Sequence, residues 1–310
     1  MVYVHTSVLA EETLKYLVPQ KDHPLMIDCT LGEGGHSKLF LEKYPFLNVI
    51  GLDRDENIIG KARNRLKPYS DRFTAVNTWF DEYLDSYIGE SPSVILFDLG
   101  ISIFHYAESE RGFSFSKREP LDMRLNVSKD ISAADIVNTY SEQQIADIIY
   151  KYGEERYSRR IARAICERRE VQSITKSDDL ASIIYSAVPQ QYRHQRIHPA
   201  TRSFQALRIA VNGELDRIEP AVNKAIDILA PGGLIGVISF HSLEDRPVKY
   251  LFRERAKDCI CPPKAPICTC DHVADITIVT KKPVVATEQE CKENPPSRSA
   301  KLRVAMKKES

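Results

Sequence analysis

No stretch of the 310-residue chain approaches the roughly 20 consecutive apolar residues that a membrane-spanning helix needs. Residues 1–19 carry Glu11 and Glu12 and no long apolar run, so no secretory leader is expected there. Neither sign of charge prevails: 43 Lys and Arg face 43 Asp and Glu, and the chain as a whole does not advertise nucleic-acid binding. A disulfide framework is missing too, since seven cysteines are an odd number and four of them crowd between Cys259 and Cys270. That pattern suits a reducing compartment, and the cytoplasm is the expected location. There is no internal repeat and no low-complexity tract. What remains is an ordinary globular composition, 43% hydrophobic and 28% charged, long enough for one large domain or two modest ones.

The balance of charge is uneven along the chain. Between residues 111 and 208 there are 17 Lys and Arg against 12 Asp and Glu, so an acidic frame surrounds a basic middle. The hydrophobic pattern divides in the same way. Short apolar runs at 25–28, 48–53, 73–77 and 94–98 read as strands, with helical segments at 37–44 and 55–66 between them. Such alternation argues for βαβ units and a parallel sheet. From about 112 to 199 the pattern is helical instead, with segments at 132–139, 141–151, 154–169 and 177–187. Alternation resumes with a helix at 212–229, a Pro-Gly-Gly turn at 231–233, a buried strand at 234–239, and strands at 276–280 and 302–306. The expected class is α/β, with domain one made of residues 1–111 and 205–310 and a helical insertion of 112–204.

The first strand ends in Asp28 and runs into Gly32-Glu-Gly-Gly-His36 at the start of a helix. Ligands of open α/β sheets bind at the carboxyl ends of strands, where glycine lets the backbone come close. Asp53 closes the second strand about 20 residues on, where a carboxylate can take the ribose hydroxyls of a nucleoside. The loop departs from the dinucleotide pattern, because Ser37 replaces its third small residue and Glu33 would repel a pyrophosphate. S-adenosylmethionine carries a sulfonium and an ammonium and no phosphate, so the loop favours it over NAD. Asp98 ends the fourth strand; it either accepts an N–H of an acceptor amine, as the catalytic candidate, or hydrogen-bonds the cofactor alone.

Several further segments, taken in order with this loop, resemble one family, the RsmH (MraW) 16S ribosomal RNA cytosine-N4 methyltransferases. They are His5-Thr-Ser-Val-Leu9, Glu110-Arg-Gly-Phe-Ser-Phe115, Pro120-Leu-Asp-Met-Arg124, Tyr152-Gly-Glu-Glu-Arg156, the run from His198 to Arg208, the run from Ile238 to Arg246, and the run from Ser297 to Arg303. The resemblance covers nearly the whole chain. It implies a Rossmann-like methyltransferase sheet with an inserted helical substrate domain, S-adenosylmethionine as donor, and N4 methylation of a cytidine in the decoding region of 16S rRNA within the small ribosomal subunit. By position it puts cofactor contacts on Gly34, Gly35, His36, Asp53, Phe80 and Asp98. His105 stands where the family has a cofactor-contacting glutamine, in a departure that spans Ile103-Phe-His-Tyr-Ala107, and the tail reads Asn294-Pro-Pro-Ser where Asn-Pro-Arg-Ser is usual.

Arg156, Arg159, Arg160 and Arg163 follow helical spacing, with Tyr157, Ile161, Ala164 and Ile165 on the other side. Such a stripe either faces phosphates or is a solvated face paired with Glu154, Glu155 and Glu167. With the family resemblance, Arg156, Arg160 and Arg163 are expected to touch RNA, and Arg196, His198 and Arg202 are further candidates. His241 and Glu244-Asp-Arg246, after the fifth strand, are expected near the mouth of the site, where orienting the loop is at least as good a role as chemistry. Cys259-Ile-Cys261 and Cys268-Thr-Cys270 invite a zinc reading, but Cys-x-Cys is tighter than the usual Cys-x2-Cys, and free thiols are the plainer account. No metal is therefore assigned. No membrane partner is expected, and a homodimer is compatible with the sequence. The competing function is a non-catalytic ribosome-assembly factor that keeps the fold, motivated by the altered 103–107 loop.

Overall fold

The computed structural model describes residues 7–127, 131–195, 197–261, 267–270 and 272–309. Contacts divide the chain into two compact units, one of residues 1–101 and 215–310 and one of residues 102–214.

The first unit is built on one sheet of eight strands: β1 (Leu25–Asp28), β2 (Asn48–Asp53), β3 (Phe73–Asn77), β4 (Val94–Asp98), β5 (Leu234–Ser239), β6 (Ile276–Ile278), β7 (Val284–Val285) and β8 (Lys301–Lys307). The order is β3-β2-β1-β4-β5-β8-β6, with β7 also on β8. β1 to β5 run parallel, and β8 returns antiparallel against β5. β1 lies between β2 and β4, so the order reverses there and a crevice opens beyond the carboxyl ends. Successive side chains of a strand point to opposite faces. Met26, Leu96 and Ile238 accordingly join one core, and Ile27, Phe97 and Val237 the other. Burial on both faces explains why these strands read as continuous apolar runs. The sheet is Rossmann-like, as expected. The strand expected at 276–280 stops at Ile278, although the amides of Val279 and Thr280 still donate to the Val304 carbonyl.

The second unit is helical. Its longer helices are Ala133–Thr139, Glu142–Gly153, Ser158–Val171, Ser177–Ala187 and Ala200–Asn212. Ser132 and Ser141 cap the first two, each accepting from the amide three residues on, while Asp135 and Gln144 reach back. The helix expected at 154–169 begins later. Glu154 takes a left-handed conformation (φ 48°) that ends the preceding helix. The buried Glu155 carboxylate then accepts from the Tyr157 amide (2.8 Å) and the Tyr192 hydroxyl (2.6 Å). Both edges of this unit lie outside the expected 112 and 204, at 102 and 214. Ala200–Asn212 is one uninterrupted helix, and its Asn212 binds the backbone of Met123 and Leu125. Arg208 on the same helix grips Glu214 through two hydrogen bonds and donates to the Tyr106 hydroxyl at 3.0 Å, which holds the 103–107 turn of helix in this unit.

The Glu110–Phe115 and Pro120–Arg124 motifs close on each other. Arg111 donates to the carbonyls of Arg124 and Leu125, and Gly112 (φ 71°) has the Pro120 carbonyl oxygen 2.2 Å from where a Cβ would stand. No helix among the described residues is long and apolar enough to cross a membrane.

Gly112→Ala is therefore expected to cost about 2–3 kcal/mol, since backbone cannot yield to the methyl group. Gly60 sits inside the helix Glu56–Arg65 with nothing within 4 Å of a Cβ, so Gly60→Ala should stabilise by about 0.5–1 kcal/mol. Urea denaturation of the two variants against the parent checks the opposite signs.

Candidate functional site

Three carboxylates end neighbouring parallel strands: Asp53 on β2, Asp28 on β1 and Asp98 on β4. Each is tied to the segment that follows β1. The Gly32 amide donates to Asp53 Oδ2 at 2.9 Å, and the Asp55 amide takes the other oxygen at 2.9 Å. The Ser37 hydroxyl donates to Asp28 Oδ2 at 2.7 Å, and the Thr30 hydroxyl accepts from the Asp98 amide at 2.6 Å. Burial pushes the Asp28 carboxyl up, against the opposing pull of Ser37, His36 and the Thr30 amide. Burial likewise raises the neighbouring Cys29 thiol well above its ordinary value, so it is not a reactive nucleophile.

The helix Gly35–Lys43 begins directly after Gly34, which adopts φ 77°. A Cβ on Gly34 would stand 2.8 Å from Leu66, and one on Gly35 would stand 2.2 Å from the Ser7 hydroxyl. These two glycines thus serve close packing of the helix start; at Gly32 the nearest atom would be 4.0 Å away. His36 is buried. Its Nδ1 lies 3.5 Å from the Thr13 hydroxyl and its Nε2 3.6 Å from Asp98 Oδ2. The other Asp98 oxygen, Oδ1, is buried with no hydrogen-bond partner among the described residues. Glu33 lies 3.9 Å from Lys61, a half-buried pair at long range.

Phe80 opens the helix Phe80–Asp85 and is half-buried, its ring edge-on to Phe97 at 5.5 Å and 85°. Beside it the buried Trp79 carries the Arg217 guanidinium 4.3 Å above its ring. His241 follows β5 and precedes the helix Ser242–Arg255. The buried Glu244 carboxylate turns back on this junction, accepting from the Phe240 amide at 2.7 Å and lying 3.1 Å from His241 Nε2. Asp245 next to it receives two hydrogen bonds from Arg303 of β8, at 2.6 and 3.0 Å. The motifs around 238–246 and 297–303 are therefore one structural element. Sequence reasoning gave no role to Thr30 and treated Ser37 only as a departure, the available signal being two polar groups placed directly beyond a buried strand; Glu244, expected beside His241, is found holding the loop after β5.

His105, the remaining expected cofactor contact, belongs to the helical unit. It is buried, with its ring 5.2 Å from that of Phe113 and 5.7 Å from that of Phe104. In the same unit Arg156, Arg160 and Arg163 are exposed, while Ile161 and Ile165 are buried on the opposite side of the helix. Arg156 stacks on Tyr157 and Tyr192, its guanidinium 4.8 and 5.0 Å from the ring centres. Arg202 donates to the Tyr192 hydroxyl at 3.3 Å, and that phenol is pushed up to about 12 by burial and by Glu155. Arg160, Arg163 and Arg168 line a groove of about 860 Å³. Arg163 is also 3.7 Å from Glu142, a different acid from the three expected to neutralise the stripe. His198 lies between Phe115 (4.7 Å) and Tyr185 (5.8 Å), stacked on both rings, and its Nδ1 accepts from the Ala200 amide at 3.2 Å. Arg196 lies outside the described residues.

Burial among these rings lowers the His198 pKa below its ordinary 6.5. The unfolded chain then takes up this proton first, so stability is lost as pH falls through about 6.5 toward the lower folded value. His198→Asn keeps an acceptor for the Ala200 amide and cannot titrate. Denaturation midpoints between about pH 7.5 and 5.5 should fall less steeply in this variant than in the parent; equal slopes would refute the assignment.

Comparison with known proteins adds the family. The family model described as the MraW methylase family matches residues 2–308. A protein of Treponema denticola named ribosomal RNA small subunit methyltransferase H is 54% identical over 306 residues, covering 98% of this chain and 97% of that protein. Proteins of the same name from Heliobacterium mobile and Persephonella marina are each 45% identical, over 312 and 304 residues, and cover 99% and 97% of this chain and 100% and 98% of their own lengths. The chain belongs to the MraW methylase family.

Proposed function

We propose that the protein transfers a methyl group from S-adenosylmethionine to the exocyclic N4 of a cytidine in the decoding region of 16S rRNA, acting on the small ribosomal subunit in the cytoplasm. The observation that carries this reading is Asp98, whose Oδ1 is buried at the end of β4 with no hydrogen-bond donor among the described residues. A buried carboxylate oxygen without a donor is costly unless a ligand supplies one. The names of the relatives support rRNA as substrate.

The residues at this edge fit the proposed cofactor. Carboxylates at the ends of β2 and β4 suit a ligand that carries cationic groups and hydroxyls, and the helix start at Gly35 suits a carboxylate. S-adenosylmethionine, when bound, supplies a methyl group made electrophilic by a sulfonium. Asp53 takes the ribose hydroxyls, Phe80 lies along the adenine, and Gly34, Gly35 and His36 hold the amino-acid end, with His105 as a further contact. Asp98 Oδ1 accepts an N–H of the cytidine amine. That nitrogen is delocalised and weakly nucleophilic, so withdrawing the N–H toward a carboxylate directs its lone pair at the methyl group, and positioning does the rest. His241, held through Glu244, orients the loop after β5. Residues 112–204 act as the substrate-recognition insertion, with Arg156, Arg160, Arg163, His198 and Arg202 facing RNA phosphates and bases.

The test is incubation with methyl-labelled cofactor and small subunits lacking the modification, followed by mapping of the labelled nucleotide. Label on N4 of one cytidine is expected; cofactor binding without incorporation would instead select the assembly-factor reading. Asp98→Asn should lower kcat by about a hundredfold or more while changing cofactor affinity far less. Replacing Arg156, Arg160 and Arg163 with Ala should weaken RNA binding and reduce the slope of log affinity against log salt by about 0.7 for each phosphate no longer neutralised. Cofactor affinity should be unaffected.

A further inference from the structure

The four cysteines between 259 and 270 come together in space. We infer that Cys259, Cys261, Cys268 and Cys270 bind one zinc ion in a structural site. Their sulfurs all lie within 4.8 Å of one another. Cys259 and Cys268 are 3.5 Å apart, Cys268 and Cys270 3.6 Å, Cys259 and Cys270 3.8 Å, and Cys261 and Cys268 4.0 Å. Four thiolates about 2.3 Å from a tetrahedral zinc stand about 3.8 Å from each other. A disulfide needs about 2.05 Å and joins only two sulfurs, so pairing does not account for four that converge. Sulfurs at this separation enclose a single ion and leave no room for the bridging sulfides of a cluster.

Donor chemistry agrees with a bound cation. The Cys261 amide donates to Cys259 Sγ at 3.4 Å, the Ile260 amide to Cys270 Sγ at 3.5 Å, and the Thr269 amide to Cys261 Sγ at 3.4 Å. Amide hydrogen bonds of this kind spread the excess negative charge of four thiolates on a divalent ion. All four ligands come from soft sulfur, which selects zinc over calcium or magnesium, and a complete set leaves no open position for substrate. The tight Cys-x-Cys spacing is no obstacle, because neither pair lies in a helix and residues two apart in extended chain share a face.

The local fold gives the ion something to do. The segment leaves the helix Ser242–Arg255 and returns to β6, and its base is closed by Arg255, which bonds Asp275, Asp227 and Asn223. Beyond that base Ile260, Ile267 and Val273 are 52%, 75% and 73% exposed, so these three apolar side chains bury little surface. A metal cross-link then supplies the folding energy that packing does not. Each thiol that takes the ion gives up its proton to solvent, so the site forms more readily as pH rises.

Metal analysis of protein purified without chelator should find one zinc per chain. Cys259→Ser/Cys261→Ser should lose it and Cys166→Ser should keep it. Cobalt(II) in place of zinc should give the visible absorption of a tetrahedral thiolate site, and a chelator should open the 256–274 segment to trypsin. If the double variant fails to fold, the zinc content and cobalt spectrum of the parent protein still decide. Absence of zinc, iron in its place, a disulfide among the four after thiol trapping, or zinc retained by a folded double variant would each overturn the assignment.

Discussion

The hydrogen bond from the Gly32 amide to the Asp53 carboxylate, 2.9 Å long, joins the turn after β1 to the end of β2. Thr30 makes the corresponding tie to β4 through the Asp98 amide, and Ser37 makes it within the turn through Asp28. A parallel sheet buried on both faces presents backbone and polar side chains only at its ends. These three bonds decide how that end is shaped at the point where strand order reverses. They bring the ends of β2, β1 and β4 together around the turn that follows β1. Burial raises the Asp28 carboxyl, and Oδ1 of Asp98 has no hydrogen-bond partner among the described residues.

The bonds also set the tolerance of the loop to change. Gly34 and Gly35 are packed against Leu66 and Ser7, so they fix where the helix Gly35–Lys43 starts, and His36 is delivered beside Asp98 as a result. A second brace works from the far side of the sheet order. Glu244 holds the junction after β5, and Asp245 locks the next helix to β8 through Arg303. The antiparallel β8 is thereby part of what positions His241.

Much of this was legible in the chain because burial writes itself into composition. β1 to β5 appear as apolar runs with the bounds found in the structure, since both faces of each are covered. Ser132 and Ser141 mark helix starts through local chemistry that involves only neighbours in sequence. What was not legible depends on partners far along the chain. Ser37 looks like a defect in a glycine pattern until Asp28 is seen to accept its hydroxyl. Glu154 has good helix propensity, yet it closes a helix because buried Glu155 is claimed by Tyr192. The unit boundary at Glu214 rests on Arg208, and the cysteine spacing becomes intelligible only when two Cys-x-Cys pairs face each other. The arginine stripe was legible as a stripe, but the acid that Arg163 approaches, Glu142, lies on another helix and was not among those expected. An exposed pair of that kind is worth about 0–1 kcal/mol, little enough to be exchanged for a phosphate.

Calorimetric titration identifies the ligand of the carboxylate-lined edge without requiring turnover. S-adenosylmethionine should bind one site per chain, Asp53→Ala should weaken that binding by about tenfold or more because the ribose hydroxyls no longer meet a carboxylate, and NAD should give no heat of binding. Saturable binding of NAD, or binding of S-adenosylmethionine that is indifferent to Asp53, would contradict the account.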